Sequence, residues 1–173
     1  DVMVSNCLPM GAYEFIANPA YKDSFTTEGW FYTPLLRKAQ ANGNVSFIPN
    51  HLHLAATKRL CYRTPDIYVG IASMPDKHGY VSLSTSNTYE MKMIKAAKTV
   101  ILEINPNAPR TFGDVQLHLD DVDYVVEVDY PMPELADAEP NEKDLAIGKI
   151  IAGMINDGDC IQLGIGGIPN AVA

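Results

Sequence analysis

The run "LGIGGIP", from Leu163 to Pro169, sets three glycines between the apolar stretch "CIQL" and a proline suited to the first turn of a helix. Glycines let a ligand approach the main chain closely, and such a turn aims free N–H groups at anionic or oxyanionic atoms. The pattern lacks the Lys-Ser/Thr pair of a P-loop, and Pro169 stands where a dinucleotide fingerprint requires glycine. A plain structural turn is therefore the competing reading. His51 and His53 would present both imidazoles on one face of a strand, as a metal pair does, but no third ligand is spaced near them. Glu103 closes the strongly apolar run "TVILEIN" and is the best-placed carboxylate, although solvation or an ion pair is its ordinary role. His78 and His118 stand alone and read as surface or hydrogen-bonded histidines.

The elements that must position these groups alternate in type. Val2 to Ser5 is β-rich. Thr33 can cap a helix, Pro34 suits its first turn and Gly43 the position just past its end, so "LLRKAQANG" predicts a helix. "VSFIP" follows as a strand and "LAATKRLCYR" as a short helix. "DIYVGIA" reads as a buried strand that enters the turn "SMPDKHG" and returns as "YVSLS". Asn87 and Glu90 have capping-box spacing ahead of "YEMKMIKAAK". After the strand "TVILEIN" come "VQLHL" and "DYVVEV". Residues 131–140, "PMPELADAEP", hold three prolines and no periodicity, which predicts a linker. Asn141 caps a further helix with an apolar stripe at Leu145, Ile147, Ile150, Ile151, Met154 and Ile155. Asp157-Gly158 ends it, and "CIQL" is the strand before the glycine turn. Strands alternating with helices predict an α/β fold with a mainly parallel sheet flanked by helices.

The chain has 173 residues, 47% of them hydrophobic and 20% charged, as in an ordinary soluble domain with the start of a second. A net charge of −8 argues against nucleic acid, which needs a basic face, and no apolar run is long enough to span a bilayer. Cys7, Cys61 and Cys160 are widely spaced, odd in number and free of any CxxC pattern, so a reducing, cytoplasmic setting is expected.

Four stretches occur in order: "FTTEGWFYTP", "SMPDKHGYVSLS", "AAKTVILEINPNAPRTFGD" and "INDGDCIQLGIGGIPNAV". Together they resemble the acetyl-CoA hydrolase/transferase family, and within it the 4-hydroxybutyrate and butyrate CoA-transferases. The resemblance covers nearly the whole chain. It implies that Gly164, Ile165, Gly166, Gly167 and Ile168 bind coenzyme A, as a substrate and not as a tightly bound cofactor. It also implies two similar α/β halves: residues 1–130 from the first, 131–140 the linker, 141–173 the start of the second. The family's nucleophile is a glutamate in a Gly-x-His-Ser/Thr-Glu motif, and this sequence has no such motif. The expectation is an interior fragment, inactive alone, whose catalytic glutamate lies beyond Ala173. The implied reaction moves CoA between a short-chain acyl-CoA and a carboxylate such as acetate through a glutamyl-CoA thioester. Partners would be acyl-CoA and short carboxylic acids, with no resident metal, no nucleic acid and no membrane, and the intact protein would be a homo-oligomer. Two alternatives stay open: an acyl-CoA hydrolase of the same family, and a non-catalytic α/β ligand-binding or scaffold domain.

Overall fold

The computed structural model describes residues 1–11, 13–134 and 139–173. The chain divides into two compact units, Asp1–Tyr130 and Pro131–Ala173. Positions 135–138 of the expected linker lie outside the described residues.

In the first unit, β1 (Val2–Asn6), β2 (Phe25–Gly29) and β3 (Val45–Phe47) form a parallel sheet in that order. Helices α1 (Glu14–Ala17) and α2 (Pro34–Ala39) pack their apolar sides together around Ile16, Leu36 and Ala39. The start of α2 is as the sequence predicts: the Thr33 hydroxyl accepts the Leu36 amide at 3.4 Å and Pro34 fills the first position. A single 3-10 turn extends it to Asn42, where Gly43 takes φ +83°. Leu36 is wholly buried, and its methyl group lies where a Cβ on Gly29 would fall.

A second parallel sheet, ordered β4-β6-β8, comprises β4 (Ile67–Ala72), β6 (Thr99–Ile104) and β8 (Tyr124–Glu127). Helices α3 (Ala55–Leu60) and α4 (Glu90–Ala96) complete this part of the unit. Along β6 the residues alternate: Val100, Leu102 and Ile104 enter a core with Ala72, Val81, Leu83, Ile94 and Leu117. Their neighbours Thr99, Ile101 and Glu103 face the other way. Here the reading of "DIYVGIA" as buried throughout is corrected. β4 is an edge strand, and Ile67 and Val69 are 58% and 63% exposed. In register with Val69 stand Ile101 and Tyr124, and with Ile71 stand Glu103 and Val126, so one face of this sheet is mostly apolar, and Val69, Tyr124 and Val126 on it are exposed. Strand β5 (Tyr80–Ser82) does not return along β4 as a ladder; it pairs antiparallel with β7 (Gln116–His118).

In the second unit, α5 (Glu142–Ala152) begins with a complete capping box. The Asn141 side chain accepts the Lys143 and Asp144 amides at 2.9 and 3.1 Å, and Asp144 accepts the Asn141 amide at 3.1 Å. The helix stops at Ala152 with Gly153 at its cap, earlier than Asp157-Gly158 predicts. Its apolar stripe is largely exposed, with Ile150 at 63% and Met154 at 68%. The contact it does make is with α6 (Gly167–Val172), through Gly148. "CIQL" is not a strand: residues 160–163 join none of the described sheets, since a strand needs a ladder partner and none is described beside it. Asn141→Ala should cost α5 about 1 kcal/mol. Hydrogen exchange of the α5 amides should therefore accelerate about fivefold, while that of β6 stays unchanged. Equal acceleration in both would mean that the box does not act locally.

Candidate functional site

The glycine turn leads directly into α6. Gly166 adopts φ +134° and ψ 176°, a region essentially reserved for glycine, and the helix follows at once. Pro169 is the third helical residue, not the first. The amides of Gly164 to Ile168 donate to no described residue, and Ile165 is 94% exposed, so the segment presents main-chain N–H groups and one apolar side chain outward. Gly167 rests on the first turn of α5, where a Cβ would strike the Asp144 carboxylate. Asp144 thus holds the helix cap and leaves room for the turn at the same time. The sequence marks Asp144 as an acid in a first helical turn but carries no signal for this second role.

The other sequence candidates have partners already. Asp76, in the turn "SMPDKHG", accepts the His78 and Tyr80 amides at 2.8 and 3.0 Å and pairs with Arg110 at 2.9 Å. The hydrogen bond from Tyr80 in particular holds its carboxyl below the usual range. With Gly79 at φ +83°, this is a braced turn. His118 contacts the His78 carbonyl at 2.9 Å, and Asp120 lies 3.3 Å from its other ring nitrogen. Glu103 accepts the Tyr130 hydroxyl at 2.6 Å, and this bond leads in pushing the Tyr130 phenol up to about 12. Glu90 binds the Thr88 and Tyr89 amides, so the predicted capping box with Asn87 is corrected: α4 begins at Glu90 itself. His51 caps a 3-10 turn (Leu52–Leu54) and His53 lies within it, so the pair is not on a strand; their rings stack with centroids 5.6 Å apart. Among the described residues no group of three or more His, Cys, Asp or Glu side chains is arranged to hold a metal. Nor is any described helix long and apolar enough to cross a membrane.

Sequence reasoning missed a strained hydroxyl cluster at the end of β5. Ser82 Oγ lies 2.8 Å from Thr111 Oγ1 and accepts the Ser84 and Thr111 amides. Ser84 sits at φ +57°, the one non-glycine residue described with positive φ, and its buried hydroxyl has no described partner. A glycine or asparagine there would have announced the turn; a serine does not.

Residues 8–135 match the model of the acetyl-CoA hydrolase/transferase N-terminal domain. The chain belongs to this family. Within the acetyl-CoA hydrolase/transferase family it is 38% identical over 143 residues to the succinyl-CoA:cyclohexane-1-carboxylate CoA transferase of Geobacter metallireducens, covering 83% of this chain and 33% of the relative. It is 39% identical over 137 residues to the 4-hydroxybutyrate coenzyme A transferase of Clostridium kluyveri, covering 79% and 32%. The crystal structure of RipA from Yersinia pestis superposes with a TM-score of 0.83 at 25% identity, over 98% of this chain and 41% of that one. The chain spans about a third of the length of the curated relatives it matches. These relatives are CoA-transferases, and the α/β fold of parallel sheets flanked by helices is the fold of the family.

Proposed function

We propose that these 173 residues belong to a CoA-transferase that moves CoA between a short-chain acyl-CoA, of the 4-hydroxybutyryl, butyryl or acetyl type, and a carboxylate acceptor such as acetate. The observation that carries this reading is the 38% and 39% identity to relatives named as CoA transferases. CoA is held at Gly164, Ile165, Gly166, Gly167 and Ile168; the free amides of that turn support the assignment, since they suit a phosphate or an oxyanion. Residues 1–130 and 141–173 are taken as parts of two α/β domains joined by 131–140.

The chemistry follows from a carboxylate nucleophile outside these residues. A glutamate oxygen attacks the thioester carbonyl and expels CoA thiolate, leaving an acyl–glutamyl anhydride. The thiolate attacks the glutamyl carbonyl and releases the acyl group as a free carboxylate. The acceptor carboxylate reverses both steps. Splitting the exchange in this way replaces one difficult displacement by easier ones, and binding of the CoA tail helps to drive the reacting end into place.

The test is chemical. After incubation of the intact enzyme with acyl-CoA, borohydride should reduce the glutamyl thioester at one glutamate outside residues 1–173. The 173-residue chain alone should remain unmodified and show no exchange. Modification at Glu103 or Glu90 would overturn the assignment and place the active site within this chain. The family's name also covers acetyl-CoA hydrolases; acyl-CoA consumption that ignores added acetate would favour that second reading.

A further inference from the structure

An open cleft of about 770 Å³ in the first unit is walled by α3, α4 and the turn before α3. Its size suits a small organic ligand. Lys92, Lys95, His51 and His53 line it, and Asp114 is the one carboxylate on its lining. In a chain of net charge −8 this is a local reversal of sign. Among the described residues neither lysine enters an ion pair. Lys92 Nζ donates to the Thr57 hydroxyl at 3.0 Å, which fixes its direction without neutralising it. Lys95 follows three residues on, along the same side of α4. The amides before α4 are occupied by the Glu90 carboxylate, so an anion here would be met by side chains.

The rest of the lining is less polar. The His51 and His53 rings stack at 27°, both exposed, with Leu52 between them in sequence. A narrower cavity shares His51 and Leu52 and is lined by Trp30. Trp30 is 6% exposed, and its indole N–H has no described acceptor. We propose that the cleft binds a small phosphate ester: phosphate oxygens on Lys92 and Lys95, and a flat, less polar portion against His51, Leu52 and His53. The proposal goes beyond the CoA-transferase reading, which assigns CoA, itself a diphosphate ester of adenosine, to the turn from Gly164 to Ile168 and not to this cleft.

Titration calorimetry of the full chain with pyrophosphate, ADP and adenosine tests it. Pyrophosphate and ADP should bind saturably, with ADP the tighter; adenosine should not. Lys92→Gln and Lys95→Gln should each weaken pyrophosphate binding about tenfold or more, since each removes a charge-assisted contact. Asp114→Asn should tighten it, a gain that a misfolded variant cannot imitate. Lys77→Gln, in the turn after β4, is the neutral control. Gly166→Val should leave pyrophosphate binding unchanged, so failure of the CoA assignment and failure of this one are separable. The proposal is overturned if neither phosphate saturates, if adenosine matches ADP, or if the cleft variants behave like Lys77→Gln.

Discussion

Gly166→Val is expected to lower the CoA affinity of the intact enzyme by about tenfold to a hundredfold. The residue lies at φ +134° and ψ 176°, where a side chain costs about 1–3 kcal/mol, and a β-branched one falls at the upper end. Space is not the obstacle: the nearest atom to a Cβ there is Pro169 Cδ, 3.9 Å away. A valine variant can therefore relax into another backbone conformation when free, and must be forced back into the original one to bind. At about 1.4 kcal/mol per decade, that strain is the affinity lost. Turnover should fall with it while the melting temperature changes little. A collapsed melting temperature with normal CoA affinity in the surviving enzyme would make the turn structural and remove the binding assignment.

The second large effect is expected at Gly148, the one buried residue of α5. A Cβ at this position would lie 2.6 Å from the Ala171 carbonyl oxygen and 2.7 Å from its carbonyl carbon. Those are main-chain atoms of α6, so no rotamer change can clear the way. Helix propensity favours replacing this glycine by about 1 kcal/mol, but overpacking against a fixed neighbour costs about 1–3 kcal/mol. For valine, with three extra carbons and poor propensity, the second effect wins. Gly148→Val should separate α5 from α6 and speed hydrogen exchange in both by one to two orders of magnitude, roughly the exchange equivalent of that cost, while β6 in the first unit exchanges as before. Undiminished protection in α6 would show that the two helices are not held together at Gly148.

These two glycines illustrate what a sequence can and cannot announce. Gly166 sits in a motif of three glycines and a proline, a pattern that marks a turn from the sequence alone. Gly148 is a lone glycine inside a helical stripe, and only the closeness of α6 explains it. The same division holds elsewhere. Thr33-Pro34, Gly43 and the Asn141 cap act within a few residues of themselves, and all were legible. So was β6, which forms over the apolar run that marks it as a strand. What failed to show depends on distant chain. The exposure of Ile67 and Val69 follows from the edge position of β4, and the engagement of Glu103 follows from Tyr130, 27 residues further on. "CIQL" has the composition of a strand, and composition cannot supply a ladder partner. The His51–His53 reading failed because alternation was assumed where a 3-10 turn forms.

The open face of the β4-β6-β8 sheet has a consequence for the behaviour of this chain in the test tube. Parallel sheets are normally covered on both sides. Here Val69, Tyr124 and Val126 are exposed on a face of the sheet that they share with Ile71, Ile101 and Glu103. Exposed apolar surface of this kind gives a protein the character of an amphiphile, with a wetting side and a greasy one. Its tendency to self-associate should rise with ammonium sulfate and fall on cooling, because excluded salts strengthen apolar attraction and low temperature weakens it. A net charge of −8 opposes close approach until salt screens it. Low ionic strength and a cold room are thus the conditions in which these 173 residues should stay dispersed.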